Sequence, residues 1–153
     1  MYTAEEVLNE KGTEMITTPS DTKIKDAVKK MVDHKIGSIL VTENNNIVGI
    51  WTERDFLRNS LLDSFDINND NVGKYMTKDL HSAPHNASLY SLLDIFLGKR
   101  FRHILIQKEG NYIGVLSMGD VIKANLNEKT KELKALNAIV SWEYYENWRF
   151  QKK

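Results

Sequence analysis

The apolar positions of the chain change period twice between residues 18 and 58, and then do so again. Ile24, Ala27, Val28, Met31 and Val32 fall at helical spacing. Asp21, two places after Pro19, stands where a helix N-cap belongs. Ser38-Ile39-Leu40-Val41 is short and branched, which predicts a buried strand. The turn residues Glu43-Asn44-Asn45-Asn46 lead into a second apolar run over residues 47–51, predicting a hairpin, and Thr52-Glu53-Arg54-Asp55 opens another helix. Moving residues 18–58 forward by 65 positions, without a gap, lays them over residues 83–123 with the pattern in register. Pro19 meets Pro84, Asp21 meets Asn86, Ile39-Leu40 meets Ile104-Leu105, Gly49 meets Gly114, Thr52 meets Ser117 and Asp55 meets Asp120. In the second copy the helix is carried by Leu89, Leu92, Leu93, Phe96 and Leu97, the strands by residues 103–106 and 112–116. An array needs about three repeats to build a continuous core, so two copies predict a closed pair instead. The expected fold is α/β (α+β), two β-α-β-β-α repeats paired about a pseudo-two-fold axis, with a seam suited to ligands.

The segments outside the repeats read separately. Thr3 and Glu6 have capping-box spacing ahead of Val7 and Leu8, predicting an N-terminal helix. Residues 63–71 are rich in Asp and Asn and carry no period, so they predict a loop, with a short helical turn over residues 72–76. From Leu126 through Leu133, Leu136, Val140 and Tyr144 one apolar stripe continues, predicting a long C-terminal helix. Its end gathers Trp142, Tyr144, Tyr145, Trp148 and Phe150, more aromatic surface than a free helix would carry. The expected organisation is a first repeat with the N-terminal helix over residues 1–66, a second repeat over 72–126 and a helical tail over 127–153.

Charge and composition narrow the function. Lys plus Arg and Asp plus Glu both total 21, so no net field draws the chain to nucleic acid or anionic lipid. Cysteine is absent, which removes disulfides, thiolate nucleophiles and zinc–cysteine sites. The N-terminus has no basic and apolar leader pattern, and no apolar run approaches the roughly 20 residues of a membrane helix, so a soluble cytoplasmic protein is expected. No phosphate-binding G-x-x-x-x-G-K-[ST] loop, G-x-G-x-x-G or H-E-x-x-H is present. His34, His81, His85 and His103 lack metal-ligand spacing, and the acids have no partner base or nucleophile. The expectation is therefore no enzyme, no metal and no required cofactor.

The chemistry that remains sits where the last helix of each copy begins. Thr52 with Asp55, and Ser117 with Asp120, fit a capping box that satisfies free amides of the first turn. They also fit a nucleoside, because a carboxylate accepts hydrogen bonds from vicinal ribose hydroxyls while a helix N-terminus favours a neighbouring phosphate. The same pair occurring twice at the same place in a duplicated unit favours the second reading.

Gly49-Ile50-Trp51-Thr52-Glu53-Arg54-Asp55 and Gly114-Val115-Leu116-Ser117-Met118-Gly119-Asp120 resemble the glycine, hydroxyl and aspartate signature of cystathionine β-synthase (CBS) domains. The runs Ile36-Gly37-Ser38-Ile39-Leu40 and Phe101-Arg102-His103-Ile104-Leu105 are similar to that family, as are the lead-ins Met15-Ile16-Thr17-Thr18-Pro19 and Leu80-His81-Ser82-Ala83-Pro84. The resemblance covers roughly residues 7–126 and implies a tandem pair, a Bateman module, laid out like the small stand-alone prokaryotic members. It implies a sensor of adenosine-containing ligands: AMP first, with ADP, ATP, NAD and S-adenosylmethionine also open. It also implies a homodimer and an unidentified protein target. Two clefts are implied, each built from both copies. One would use Thr52 and Asp55 with backbone near Asp79 and Leu80, the other Ser117 and Asp120 with backbone near Met15 and Thr17. They differ in charge, since Arg102-His103 replaces Gly37-Ser38 and Arg54 replaces Gly119. Arg102 suits bidentate contact with phosphate, and His103 adds charge below its pKa. Glu53, facing the ligand, would disfavour a triphosphate, and Trp51 reads as core. The competing expectation is a protein interaction module with unoccupied clefts, working through the aromatic C-terminal helix.

Overall fold

The computed structural model describes residues 2–12 and 14–150, with side chains through residue 139. After helix α1 (Ala4–Lys11) the first repeat runs β1 (Thr17–Pro19), α2 (Ile24–Asp33), β2 (Ser38–Glu43), β3 (Asn46–Thr52) and α3 (Glu53–Asn59). A one-turn helix α4 (Val72–Tyr75) precedes the second repeat, β4 (Ser82–Pro84), α5 (Leu89–Lys99), β5 (His103–Lys108), β6 (Asn111–Ser117) and α6 (Met118–Phe150). Each repeat forms a three-stranded sheet, ordered β1-β2-β3 and β4-β5-β6, in which the first strand pairs parallel and the hairpin antiparallel.

The duplication extends to backbone irregularities. Both hairpins shift register at the same place, Val41/Thr42 and Ile106/Gln107. Their turns use matched positive φ angles, 50° and 64° at Asn44 and Asn45, 50° and 80° at Glu109 and Gly110. In each repeat the first helix buries one face on the sheet: Ile24, Ala27 and Met31 against Ile39, Val41 and Trp51, and Leu89, Leu92 and Phe96 against Ile104, Ile106 and Leu116. Burial of these apolar faces is the main stabilising term.

The two repeats exchange their leading helices. Although α1 precedes the first repeat in the chain, Ala4 and Val7 are buried in the core of the second. Conversely, Val72 of α4 is buried in the core of the first. The exchange depends on two glycines in the strands the sequence singled out. A Cβ at Gly114 would meet Leu8 Cδ2 at 2.6 Å, and one at Gly49 would meet Met76 Sδ at 2.5 Å. A strand glycine here admits the close approach of a segment crossing from elsewhere in the chain. Glu5 fastens α1 further, bonded to Lys108 at 2.6 Å and His85 at 2.8 Å.

Asp21 does not cap α2. The helix starts at Ile24 with Lys23 in the cap position and no side-chain cap. Its first amides instead donate to the linker: Ile24 to the Asp70 carbonyl at 3.0 Å and Lys25 to the Ile67 carbonyl at 2.9 Å. A remote carbonyl satisfies an orphan helix amide as well as a local side chain does. The linker is a loop, as expected, but Phe65 and Ile67 pack against the first core. Asp70 holds its shape, accepting from the Asp66 amide at 2.9 Å and the Tyr75 hydroxyl at 2.7 Å. The Tyr75 hydrogen bond leads the causes that lower the Asp70 pKa to about 2.

The expected helix of the second repeat and the expected tail form one 33-residue helix. Its first turns bury Val121 and Ala124, whereas Leu126, Leu133, Leu136 and Ile139 are 62%, 58%, 56% and 57% exposed. The rest of the expected stripe, Val140 and Tyr144, and the aromatic residues Trp142, Tyr145, Trp148 and Phe150 lie outside the described side chains. Among the described residues no helix is long and apolar enough to cross a membrane.

Candidate functional site

Each hairpin delivers its chain directly into a helix, and both junctions form complete capping boxes. Thr52 N–H donates to Asp55 Oδ2 at 3.0 Å, and Asp55 N–H donates to Thr52 Oγ1 at 3.1 Å. Ser117 and Asp120 repeat this at 2.8 and 3.1 Å. The capping account of these residues therefore holds, and it leaves capacity unused: Asp55 Oδ1 accepts from no described residue.

The first cleft, about 240 Å³, opens beside Thr52 and Asp55. The first repeat contributes Ile50 and residues 52–55 with Arg58, and the second contributes Thr77, residues 79–81, residues 100–103 and Leu105. Arg54, Arg58, Arg100 and Arg102, four of the five arginines in the sequence, line it and are exposed. None of the four guanidinium groups makes a hydrogen bond or ion pair with a described residue. The acids Glu53 and Asp79 share the cleft. The His81 and Phe101 rings stack within it, centroids 3.7 Å apart and planes at 19°.

The second cleft, about 260 Å³, is its counterpart beside Ser117 and Asp120. Glu14, Met15 and Ile16, residues 34–38, and Val115 line it together with Lys11, and His103 borders both clefts. Lys11 Nζ donates to Asp120 Oδ2 at 2.9 Å and to the Val115 carbonyl at 3.2 Å. Burial pushes the Asp120 pKa up, but the hydrogen bonds from Lys11 and the Ser117 amide outweigh it and leave the carboxyl below its ordinary value. Burial, then the charge of Lys11, pushes the His103 pKa down, so this imidazole is neutral at neutral pH and gains charge only in acid.

Of the residues singled out in the sequence, Thr52, Arg54, Asp55, Asp79, Leu80, Arg102 and His103 come together in the first cleft. Met15, Gly37, Ser38, Ser117 and Asp120 come together in the second. Thr17 lies one place too far along: Ile16 lines the cleft, while Thr17 pairs with Leu40 and its carbonyl accepts from Lys30 Nζ at 2.6 Å. Gly119 borders an adjoining groove with Leu97 and Ile122, which shares Arg54, Arg100 and Arg102 with the first cleft. Trp51 is fully buried core, its Nε1 donating to Asn59 Oδ1 at 2.9 Å. The sequence reading missed Arg58, Arg100, His81 and Phe101 in the first cleft, and Lys11, His34 and Lys35 in the second. A signal existed for one of them: Arg54 and Arg58 are one helical turn apart on α3 and project to one side. Arg100 is the left-handed C-cap of α5 and Arg102 precedes β5, so no strand alternation places that pair.

A CBS domain model matches residues 5–61 and again residues 72–127. The mitochondrial CBS domain-containing protein CBSX3 of Arabidopsis thaliana is 32% identical over 130 residues, 82% of this chain, which spans 63% of the length of that relative. A solved CBS-domain containing protein of Agrobacterium tumefaciens superposes with a TM-score of 0.76 at 32% identity, covering 81% of this chain and 99% of its own. The structure of CBSX2 in complex with AMP superposes with a TM-score of 0.68 over 84% of this chain and 99% of its own; at 23% identity this is a likeness of fold. Two interlocked β-α-β-β-α units, each matched in turn by the same family model, establish that this chain belongs to the CBS domain family and carries its domains as a tandem pair.

Proposed function

We propose that this chain is a cytoplasmic regulatory module that binds an adenosine-containing nucleotide, AMP foremost, in the first cleft, and that it senses the ligand without transforming it. The observation that carries the reading is four arginine guanidinium groups without partners among the described residues, around a cleft lined also by Asp55, whose Oδ1 accepts from no described residue. Guanidinium groups left unpaired on a concave surface suit phosphate oxygens, which they bind bidentately. A carboxylate oxygen that accepts nothing from the described residues suits a ribose diol, and Ile50, Leu80 and Leu105 offer the base an apolar wall. The AMP carried by CBSX2 supports the same ligand class on the shared fold.

A thermal-shift panel of AMP, ADP, ATP, NAD, S-adenosylmethionine and adenosine tests the proposal. Ligand at about 100 times its Kd stabilises the folded state by about 2.7 kcal/mol. For a domain of this size that corresponds to roughly 5–10 °C in Tm. No shift with any of the panel would refute nucleotide binding.

A second surface carries its own reading. Leu126, Leu133, Leu136 and Ile139 stand exposed along α6, an apolar row of the kind that marks association surfaces. The chain is proposed to form a homodimer through this overhanging helix, and the competing role as an interaction module for another protein would use the same row.

A further inference from the structure

The two clefts are related by the duplication, and among their differences is one side chain that reaches the carboxylate itself, Lys11. It is the last residue of α1, whose Ala4 and Val7 are buried in the second core and whose Glu5 is bonded to His85 and Lys108. Gly12, at φ 64°, ends the helix immediately beyond it by donating its amide to the Leu8 carbonyl. The base of the Lys11 side chain is thus held beside β6, and its ammonium lies on Asp120 Oδ2 and the Val115 carbonyl. The pair is shielded, with side chains 29% and 25% exposed.

The first cleft has nothing comparable. The 65-residue offset places Met76 against Lys11, and Met76 carries no charge and packs its thioether on Gly49. The strand carbonyl equivalent to Val115, that of Ile50, is taken by the backbone amide of Thr77 at 2.8 Å. Asp55 keeps no cation partner among the described residues.

We infer that Lys11 acts as a built-in occupant of the second cleft: it neutralises the carboxylate a ribose diol would meet, so that the chain takes one nucleotide, in the first cleft, although its fold supplies two clefts. The physical ground is charge neutralisation. Lys11 lies on Oδ2, and Asp120 Oδ1 accepts from no described residue. A carboxylate already paired with an ammonium is a weaker acceptor for a diol than the Asp55 carboxylate, which has no cation partner among the described residues. Lys11 is accordingly a residue that sets site number and selectivity.

This inference rests on the nucleotide reading of the first cleft, and isothermal titration of AMP into the full chain separates the two. The wild-type chain is expected to take one equivalent, weakened at least tenfold by Asp55→Asn. Lys11→Met, which installs the residue of the other repeat, is expected to take a second equivalent. Lys11→Met combined with Asp55→Asn keeps one, and Lys11→Arg, which preserves the charge, stays at one. Lys11→Gln repeats the test should the methionine variant misfold. Two equivalents in the wild type, or one in both the Met and Gln variants, would overturn the role of Lys11 and leave nucleotide binding standing. No heat in the wild type or in any Lys11 variant would overturn both.

Discussion

Replacing Asp55 by Asn isolates the group on which nucleotide recognition is proposed to turn. The carboxylate has two jobs that the structure assigns to different oxygens. Oδ2 accepts the Thr52 amide at 3.0 Å and closes the capping box of α3, while Oδ1 accepts from no described residue, on a side chain that lines the first cleft. Alanine would remove both at once and confuse a stability loss of about 1 kcal/mol from the cap with a loss of affinity. Asparagine keeps the cap, because its carbonyl oxygen can accept the Thr52 amide, and presents an amide N–H₂ where the diol needs an acceptor. A hydrogen bond to a charged group contributes about 1.5–3 kcal/mol. At about 1.4 kcal/mol per tenfold this is roughly 10- to 150-fold in Kd. Asp55 is only half-buried, which places the expectation near the lower end. Titration calorimetry with AMP and with 2′,3′-dideoxy-AMP completes a double-mutant cycle. The variant should weaken AMP about tenfold and leave the dideoxy ligand unchanged, while urea denaturation moves by less than ~1 kcal/mol. Equal affinity of variant and wild type for AMP would refute the ribose contact, as would an equal loss for both ligands.

Arg102→Ala is expected to weaken AMP about tenfold and adenosine not at all, since an exposed guanidinium contributes through the phosphate alone; equal losses in calorimetry would remove that role. Truncation after Asn127 deletes the exposed Leu133, Leu136 and Ile139 and should give a soluble monomer by light scattering, whereas a truncated chain that still dimerises would show that α6 does not drive association. Asp70 has a folded pKa of about 2 against an ordinary 3.8, so its stabilisation is complete above the higher value and is lost as pH falls through the lower. Asp70→Asn should therefore flatten the decline in stability over that acid window, and an unchanged acid limb in the variant would contradict the linkage.

The residues that specified the repeats did so through local pattern. A helix needs apolar side chains at three- and four-residue spacing and a buried strand needs a short branched run, so Ile24 to Met31 and Ser38 to Val41 declare themselves without reference to the rest of the chain. The capping boxes at Thr52 and Ser117 were legible for the same reason, each closing within four residues. The 65-residue offset then carried the architecture, because two copies of a unit with one sticky face must cover each other. Even the charge difference between the clefts was visible, as Arg102-His103 against Gly37-Ser38.

What the pattern could not supply is which distant partner fills a need the local sequence announces. The N-terminus of α2 required a cap, and Asp21 stood nearest, yet carbonyls of Ile67 and Asp70 satisfy it from across the first core. The apolar face of α1 required cover, and the second repeat provides it rather than the first, because Gly114 leaves room for Leu8 there. Arg58 and Arg100 meet in one cleft, and Lys11 meets Asp120 in the other, only after the repeats have paired and exchanged helices. Sequence alone determined the repeated unit, its elements and the hydroxyl–aspartate turns, since those depend on neighbours a few residues away. Tertiary structure decided which arginines converge and which aspartate is already claimed, since contacts between residues far apart in the chain are set by the packing of whole elements and leave no periodic trace along it.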